Sequence, residues 1–177
     1  GLAIMGKLTE PTWGNQIEDA DFFHMKGIIE TLLEGLGISR YSFRKATHPT
    51  LHPGRTAKVV VDGEAVGYFG EIHPEVSGAL GLKKTAYLAE LDGEKLLHSM
   101  PADRGIRQLP RFPAVTRDIA VIVRKDVESK GVEDRIWEAG AGLVERVNLF
   151  DVYVGPQVPP EHKSLAYSIT YRSLDRT

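Results

Sequence analysis

The feature that most limits how this chain can fold is a break. Ser99-Met100-Pro101-Ala102-Asp103-Arg104-Gly105 is small and polar, and Pro101 and Gly105 interrupt any helix or strand run through it. No apolar period crosses it. The 177 residues therefore divide into two domains. The predicted organisation is 1–99, a linker at 100–107, and 108–177. The halves also differ in charge. Residues 1–105 carry eleven Lys/Arg against fourteen Asp/Glu, and five of the six His; residues 106–177 carry eleven bases, eight of them Arg, against ten acids. A whole-chain charge of −2 argues against a generic polyanion binder, but it averages over unlike parts.

The absence of cysteine excludes disulfides, thiolate zinc sites, Fe–S clusters and Cys nucleophiles. No apolar run approaches the ~20 residues of a membrane-spanning helix. GLAIMGKLTEP at the start has no basic flank followed by a long apolar stretch, so no signal peptide is expected. The expected location is the cytoplasm.

In the first domain, Leu2 to Leu8 reads as a strand ended by Glu10-Pro11. Asp21 suits the N-cap of a helix, where a carboxylate accepts from free first-turn N–H groups. Phe22, Met25, Ile29, Leu32, Leu33 and Leu36 then share one helical face, and Gly37 supplies the stop. Lys58–Val61, Asp62-Gly63 and Ala65–Ile72 read as a hairpin. Pro74 opens a short helix through Leu80, ended by Gly81, and Ala86–Leu91 is a further strand. The layout is α+β, an antiparallel sheet with helices.

Several residues here invite a functional reading. His48, His52 and His73 are candidate metal ligands, but Pro49, Pro53 and Gly54 forbid the helix that would align the first two, so no metal site is expected. His24 is expected at the edge of the first turn. Glu71, Glu75 and Glu90 are expected as solvated or ion-paired surface groups. Arg55 is an anion ligand or a structural ion-pair partner. Gly67 and Gly70 lack the strand–loop–helix setting of a phosphate-binding loop and read as bulges or points of close backbone packing.

In the second domain, Arg117-Asp118 precedes Ile119–Val123, apolar on both faces and read as a central strand. A helix follows over about Glu128–Ala141, with Val132 and Ile136 inward and Gly140 or Leu143 continuing that face. Val144–Val154 and Ser164–Arg172 are strands. In the latter, Leu165, Tyr167, Ile169 and Tyr171 alternate with Ala166, Ser168, Thr170 and Arg172. The order is β-α-β-β, the first four elements of a ferredoxin-like β-α-β-β-α-β fold. Bases interleave with Phe150, Tyr153, Tyr167 and Tyr171. On an open sheet that mixture holds single-stranded RNA, aromatics stacking on bases and Arg gripping phosphate. The competing reading makes the aromatics core and the arginines a solvated face.

The stretches LPRFPAVTRDIAVIVRKDV (Leu109–Val127), NLFDVYVG (Asn148–Gly155) and KSLAYSITYRSLDRT (Lys163–Thr177) resemble the ferredoxin-like anticodon-binding domain of the bacterial phenylalanyl-tRNA synthetase β subunit. DFFHMKG (Asp21–Gly27), HPTLHPGR (His48–Arg55), GYFGEIHPEV (Gly67–Val76) and YLAELD (Tyr87–Asp92) resemble the module before it. The resemblance implies that residues 1–99 are the later part of a non-catalytic module similar to a class II synthetase catalytic domain. It implies that 108–177 is the anticodon domain without its last helix and strand. No GxGxGxxR-like block for ATP is present, and no Arg and Glu on paired strands can be assigned from sequence as a motif-two pair. The implied function is tRNA(Phe) anticodon recognition and subunit assembly within the ligase. The competing function is assembly alone, with no RNA binding. By itself the piece is expected to be inactive and without cofactor, ATP and magnesium belonging to the whole enzyme.

The partners so implied are tRNA(Phe) and the α subunit, in a heterotetramer of two α and two β subunits, with no membrane and no DNA. A dimer of this piece through its open sheet edge is a further expectation. Within the matching blocks, the candidate tRNA-binding residues are Arg111, Arg117, Arg146, Asp151, Tyr153, Lys163 and Arg172. Arg and Lys would hold phosphate; Asp151 or Tyr153 would read or stack on a base. For two of them a structural alternative stays open: an Arg117–Asp118 ion pair at the strand entry, and Asp151 as the cap of the turn before Tyr153.

Overall fold

The computed structural model describes residues 1–8, 13, 18–102 and 112–173. The chain separates into two compact units, Gly1–Gly105 and Ile106–Thr177. Both are mixtures of helix with an antiparallel sheet.

The first unit runs β1 (Leu2–Met5), α1 (Phe22–Gly35), β2 (Tyr41–Lys45), β3 (Leu51–Val61), β4 (Glu64–Ile72), α2 (Pro74–Ala79), β5 (Ala86–Leu91) and α3 (Gly93–His98). Its five strands lie in the order β1-β5-β4-β3-β2. β1 is shorter than its apolar run suggests, because Gly6 turns into the left-handed region (φ 78°). α1 begins as its sequence dictates: Asp21 Oδ1 accepts from the His24 amide at 2.7 Å. It ends at Gly37, whose φ of 80° suits glycine. Met25, Ile29 and Leu33 are fully buried against Val59, Val61, Phe69 and Ala89 of the sheet. Leu32, assigned to that face, is 38% exposed, as is Ile28 one turn earlier; both lie at the margin of the apolar stripe.

The Asp62-Gly63 turn carries positive φ at both residues, 48° and 86°, as a two-residue hairpin requires. β2 and α3 have no counterpart in the sequence reading. β2 (YSFRK) is a polar-rich edge strand. α3 is only six residues long, capped by Asp92.

The second unit runs β6 (Val115–Arg124), α4 (Ser129–Ala139), β7 (Val144–Tyr153) and β8 (His162–Tyr171), with sheet order β6-β8-β7. β8 is thus the central strand of the three, and β6 pairs with β8 and has no second partner among the described residues, in line with the open sheet edge expected along Ile119–Val123. Leu165, Tyr167 and Ile169 of β8 are buried, and Val132 and Ile136 of α4 pack on them. The Tyr167 hydroxyl donates to the Ser129 carbonyl at 2.9 Å, tying the first turn of α4 to the sheet. Gly140 ends the helix where a Cβ would lie 2.1 Å from Val144 Cγ2, so glycine there permits the close turn into β7. Leu143, the alternative continuation of the inward face, is half exposed.

Candidate nucleic-acid interface

The two faces of the second sheet have opposite characters. β8 alternates strictly, so burying Leu165, Tyr167 and Ile169 under α4 turns Ser164, Ala166, Ser168 and Thr170 to the other side. Strand register then assembles that open face row by row. Arg146 of β7 lies beside Thr170 and Thr116; Asn148 beside Ser168 and Asp118; Asp151 beside Ala166 and Ala120; Tyr153 beside Ser164 and Ile122. The middle strand is therefore a low floor of small side chains, and the larger groups of β7 form a wall along it. A surface of this shape admits flat unstacked bases while offering polar atoms to their edges.

β7 reaches this register through two irregularities, between Val144 and Arg146 and between Leu149 and Asp151. The second inserts Phe150, so Leu149 pairs with Tyr167 on the α4 side while Asp151 pairs with Ala166 on the open side. In a strand without that irregularity, Leu149 and Asp151, two residues apart, would share a face.

The candidate residues divide accordingly. Arg146, Asp151 and Tyr153 come together on the open face, and no side-chain hydrogen bond or ion pair of theirs is found among the described residues. Arg117 has the register parity of the α4 side and donates to the Thr116 carbonyl at 3.3 Å. The alternative ion pair between Arg117 and Asp118 does not form, because neighbours on a strand point to opposite faces. Asp151 caps no turn; it sits within β7, paired with Ala166. Lys163 pairs with Val123 near the β6–α4 turn. There the Asp126 carboxyl is held below its usual range, chiefly by the Arg124 hydrogen bond, with Lys163 adding a smaller attraction. Arg172 is committed internally: Nε donates to Glu145 Oε2 at 2.7 Å and Nη1 to the Phe112 carbonyl at 2.9 Å. Arg111 lies outside the described residues. The sequence reading passed over Asn148 and the small floor residues, although the Ser-Ala-Ser-Thr alternation was legible in it.

The first unit has a different site-like feature. Leu2, His48, Thr50, Tyr68, Leu88 and Glu90 help line an open cleft of about 870 Å³. Three of its polar residues, His48, Thr50 and Asp92, serve the fold. His48 Nδ1 bonds the Thr50 hydroxyl at 3.0 Å, and Asp92 caps α3 at the Lys95 amide, 3.1 Å. His52 accepts from the Gly54 amide at 3.0 Å, within β3, and His73 caps α2 by accepting from the Glu75 amide at 3.3 Å. Among the described residues, no group of three or more His, Asp or Glu is placed to hold a metal ion.

Glu71 corrects one expectation: it is buried, not a surface carboxylate. Arg55 of β3 reaches it from the neighbouring strand at 2.5 Å, so an Arg and a Glu do meet across paired strands. That contact is an internal ion pair. Burial, then the negative Glu71, pushes the nearby Tyr87 phenol up. Gly67 and Gly70 are points of close backbone approach, as expected: a Cβ would lie 2.2 Å from the Glu90 carbonyl oxygen and 2.3 Å from that of Arg55.

Among the described residues no helix is long and apolar enough to cross a membrane. Residues 110–177 match the family model of the ferredoxin-fold anticodon binding domain. Residues 1–93 match that of the phenylalanyl tRNA synthetase beta chain CLM domain. The phenylalanine–tRNA ligase beta subunit of Symbiobacterium thermophilum is 46% identical over 177 residues, which is all of this chain and 20% of that protein. The subunit of the same name from Halalkalibacterium halodurans is 41% identical over 176 residues, 99% of this chain and 22% of that protein. That of Clostridium acetobutylicum is 40% identical over 160 residues, 90% and 20% respectively. The chain spans about a fifth of the length of these relatives. The CLM match alone takes in more than half of the 177 residues, and the chain belongs to the phenylalanyl-tRNA synthetase beta chain family.

Proposed function

We propose that the second unit recognises the anticodon of tRNA(Phe) as part of a phenylalanine–tRNA ligase, through the open face of its sheet. The observation that carries this reading is the row of Arg146, Asn148, Asp151 and Tyr153 along a floor of Ser164, Ala166, Ser168 and Thr170, in the part of the chain that matches an anticodon-binding domain. Arg146 supplies a phosphate contact, Asp151 accepts from a base edge, and Tyr153 stacks. Lys163 and Arg117 stand at the ends and back of this surface and contribute at most to the general field. Arg172 serves as a strut. Arg111 remains a phosphate candidate by its place in the family block.

The first unit is a non-catalytic module that assembles with the α subunit, in a heterotetramer of two α and two β subunits in the cytoplasm. Ile28 and Leu32, one turn apart on α1 and each 38% exposed, support an assembly surface. ATP and magnesium serve the whole enzyme, and this piece needs neither. Ile119, Leu149 and Val152 share the α4 side of the second sheet yet are 38%, 36% and 50% exposed. Together with the edge of β6 that has no partner among the described residues, this supports a ferredoxin-like domain completed by one more helix and strand, or, in this piece alone, by a second copy.

The test uses the complete β subunit in its complex with α. Asp151→Ala should reduce discrimination between the cognate tRNA and one substituted at a single anticodon base, by about 1–3 kcal/mol. Discrimination unchanged at every anticodon position, for both Asp151→Ala and Tyr153→Ala, would leave the module with assembly alone.

A further inference from the structure

Tyr153 ends β7, and the chain turns back at Gly155. The Tyr153 side chain lies over that glycine. A Cβ at Gly155 would sit 2.3 Å from the Tyr153 hydroxyl oxygen, 2.5 Å from Cζ and 3.1 Å from Cε1. The tyrosine ring thus fills the volume in which any other residue would place its side chain. The backbone makes no such demand, since Gly155 is not among the glycines with positive φ. What glycine provides here is room for the ring. No hydrogen bond from the Tyr153 hydroxyl is found among the described residues, so van der Waals contact sets the ring's orientation.

We propose that Gly155 is a positioning residue. By leaving room for the Tyr153 ring to fold back, it fixes the plane that Tyr153 offers to an unpaired base at the end of the open face. The inference rests on the reading of that face as the anticodon surface. The clash is with the far end of a side chain that is 36% exposed, so a methyl group at 155 displaces the ring and leaves the strand in place. Ordinary contact begins at 3.4 Å against the present 2.3 Å, so the hydroxyl end must retreat by about 1.1 Å. Stacking depends on the ring's plane and offset, so a displaced ring loses much of its contact with the base.

Two measurements test this. The first needs no RNA. In the nuclear magnetic resonance spectrum of the chain, the Gly155 α-protons should carry a ring-current shift that Tyr153→Leu abolishes. Unshifted protons would overturn the inference on geometry alone, whatever the face binds. The second is affinity for the cognate anticodon stem-loop, measured on the complete β subunit in its complex. Tyr153→Ala should weaken binding by roughly 5- to 150-fold, the range of one base–aromatic stack. Gly155→Ala should weaken it by a large part of that factor with an unchanged unfolding midpoint, and should cost nothing further in the Tyr153→Ala background. Equal losses in both backgrounds, or a loss that follows a lowered midpoint, would overturn the positioning role. No loss for Tyr153→Ala, with the ring-current shift present, would instead overturn the stacking role of Tyr153 and this inference with it.

Discussion

Arg172→Ala separates a structural arginine from a phosphate contact. By its place in the family block Arg172 is a candidate for gripping RNA, but its guanidinium already spans the Glu145 carboxylate and the Phe112 carbonyl. With side chains 23% and 42% exposed, the ion pair is partly screened and contributes ~0.2–1 kcal/mol. The charge-assisted bond to the carbonyl adds about 1.5 kcal/mol. Truncation should therefore lower stability by roughly 2 kcal/mol, read from denaturant unfolding of the chain. RNA binding gives the opposite signature. Each phosphate contact on a single strand contributes about 0.7 to the slope of log affinity against log salt. Losing one weakens the effect of a fourfold rise in salt by roughly 2.6-fold. Arg172→Ala should leave that slope unchanged in a salt titration of the complete subunit with its tRNA. Arg146→Ala, with no side-chain partner to lose among the described residues, should flatten the slope by about 0.7 while stability stays within ~0.5 kcal/mol. A flattened slope for Arg172→Ala at unchanged stability would refute the strut assignment.

Two further outcomes follow from the cores. Burial, with a smaller contribution from the Glu133 charge, pushes the Tyr167 phenol up to about 12. An unfolded tyrosine ionises near ~10, so its contribution is complete below about pH 10 and is lost as pH rises toward 12. Tyr167→Phe should remove part of the alkaline loss of stability and cost about 1 kcal/mol at neutral pH through the unpaired Ser129 carbonyl; unfolding curves across pH that match the native chain would contradict it. In α1, Leu33→Ala should cost ~2–5 kcal/mol, because a fully buried leucine leaves a cavity, whereas Leu32→Ala should cost less than ~1 kcal/mol. Equal costs by thermal or urea unfolding would mean that the burial of this helix is misassigned.

Local chemistry determined much of this protein from sequence alone. Asp21, Gly37, the Asp62-Gly63 turn, Pro74 and Gly81 set element ends through backbone conformation and capping, which depend on a few neighbouring residues. The alternation in β8 separated a buried face from an open one for the same reason. Gly67 and Gly70 announced close backbone contact, though not with which strand. The family blocks then pointed to the second unit as the RNA-binding part.

Tertiary structure decided the rest, because the deciding contacts are distant in sequence. The polar β2 earns its place by pairing with β3, and six-residue α3 by its cap and by burying Leu96. Glu71 is buried because Arg55 on the next strand neutralises it. The apolar run of β6 marks a strand, but which strand it pairs with is decided by tertiary contacts, and among the described residues that partner is β8 alone. The site shows this most clearly. Arg117, Arg146, Lys163 and Arg172 are chemically alike in the sequence, yet register, with the irregularity between Val144 and Arg146, places Arg146 on the open face, turns Arg117 and Lys163 toward the side of α4, and lets Glu145 capture Arg172. A one-residue shift on a strand exchanges its faces, so which of several basic residues can meet a ligand is settled only when the strands have paired.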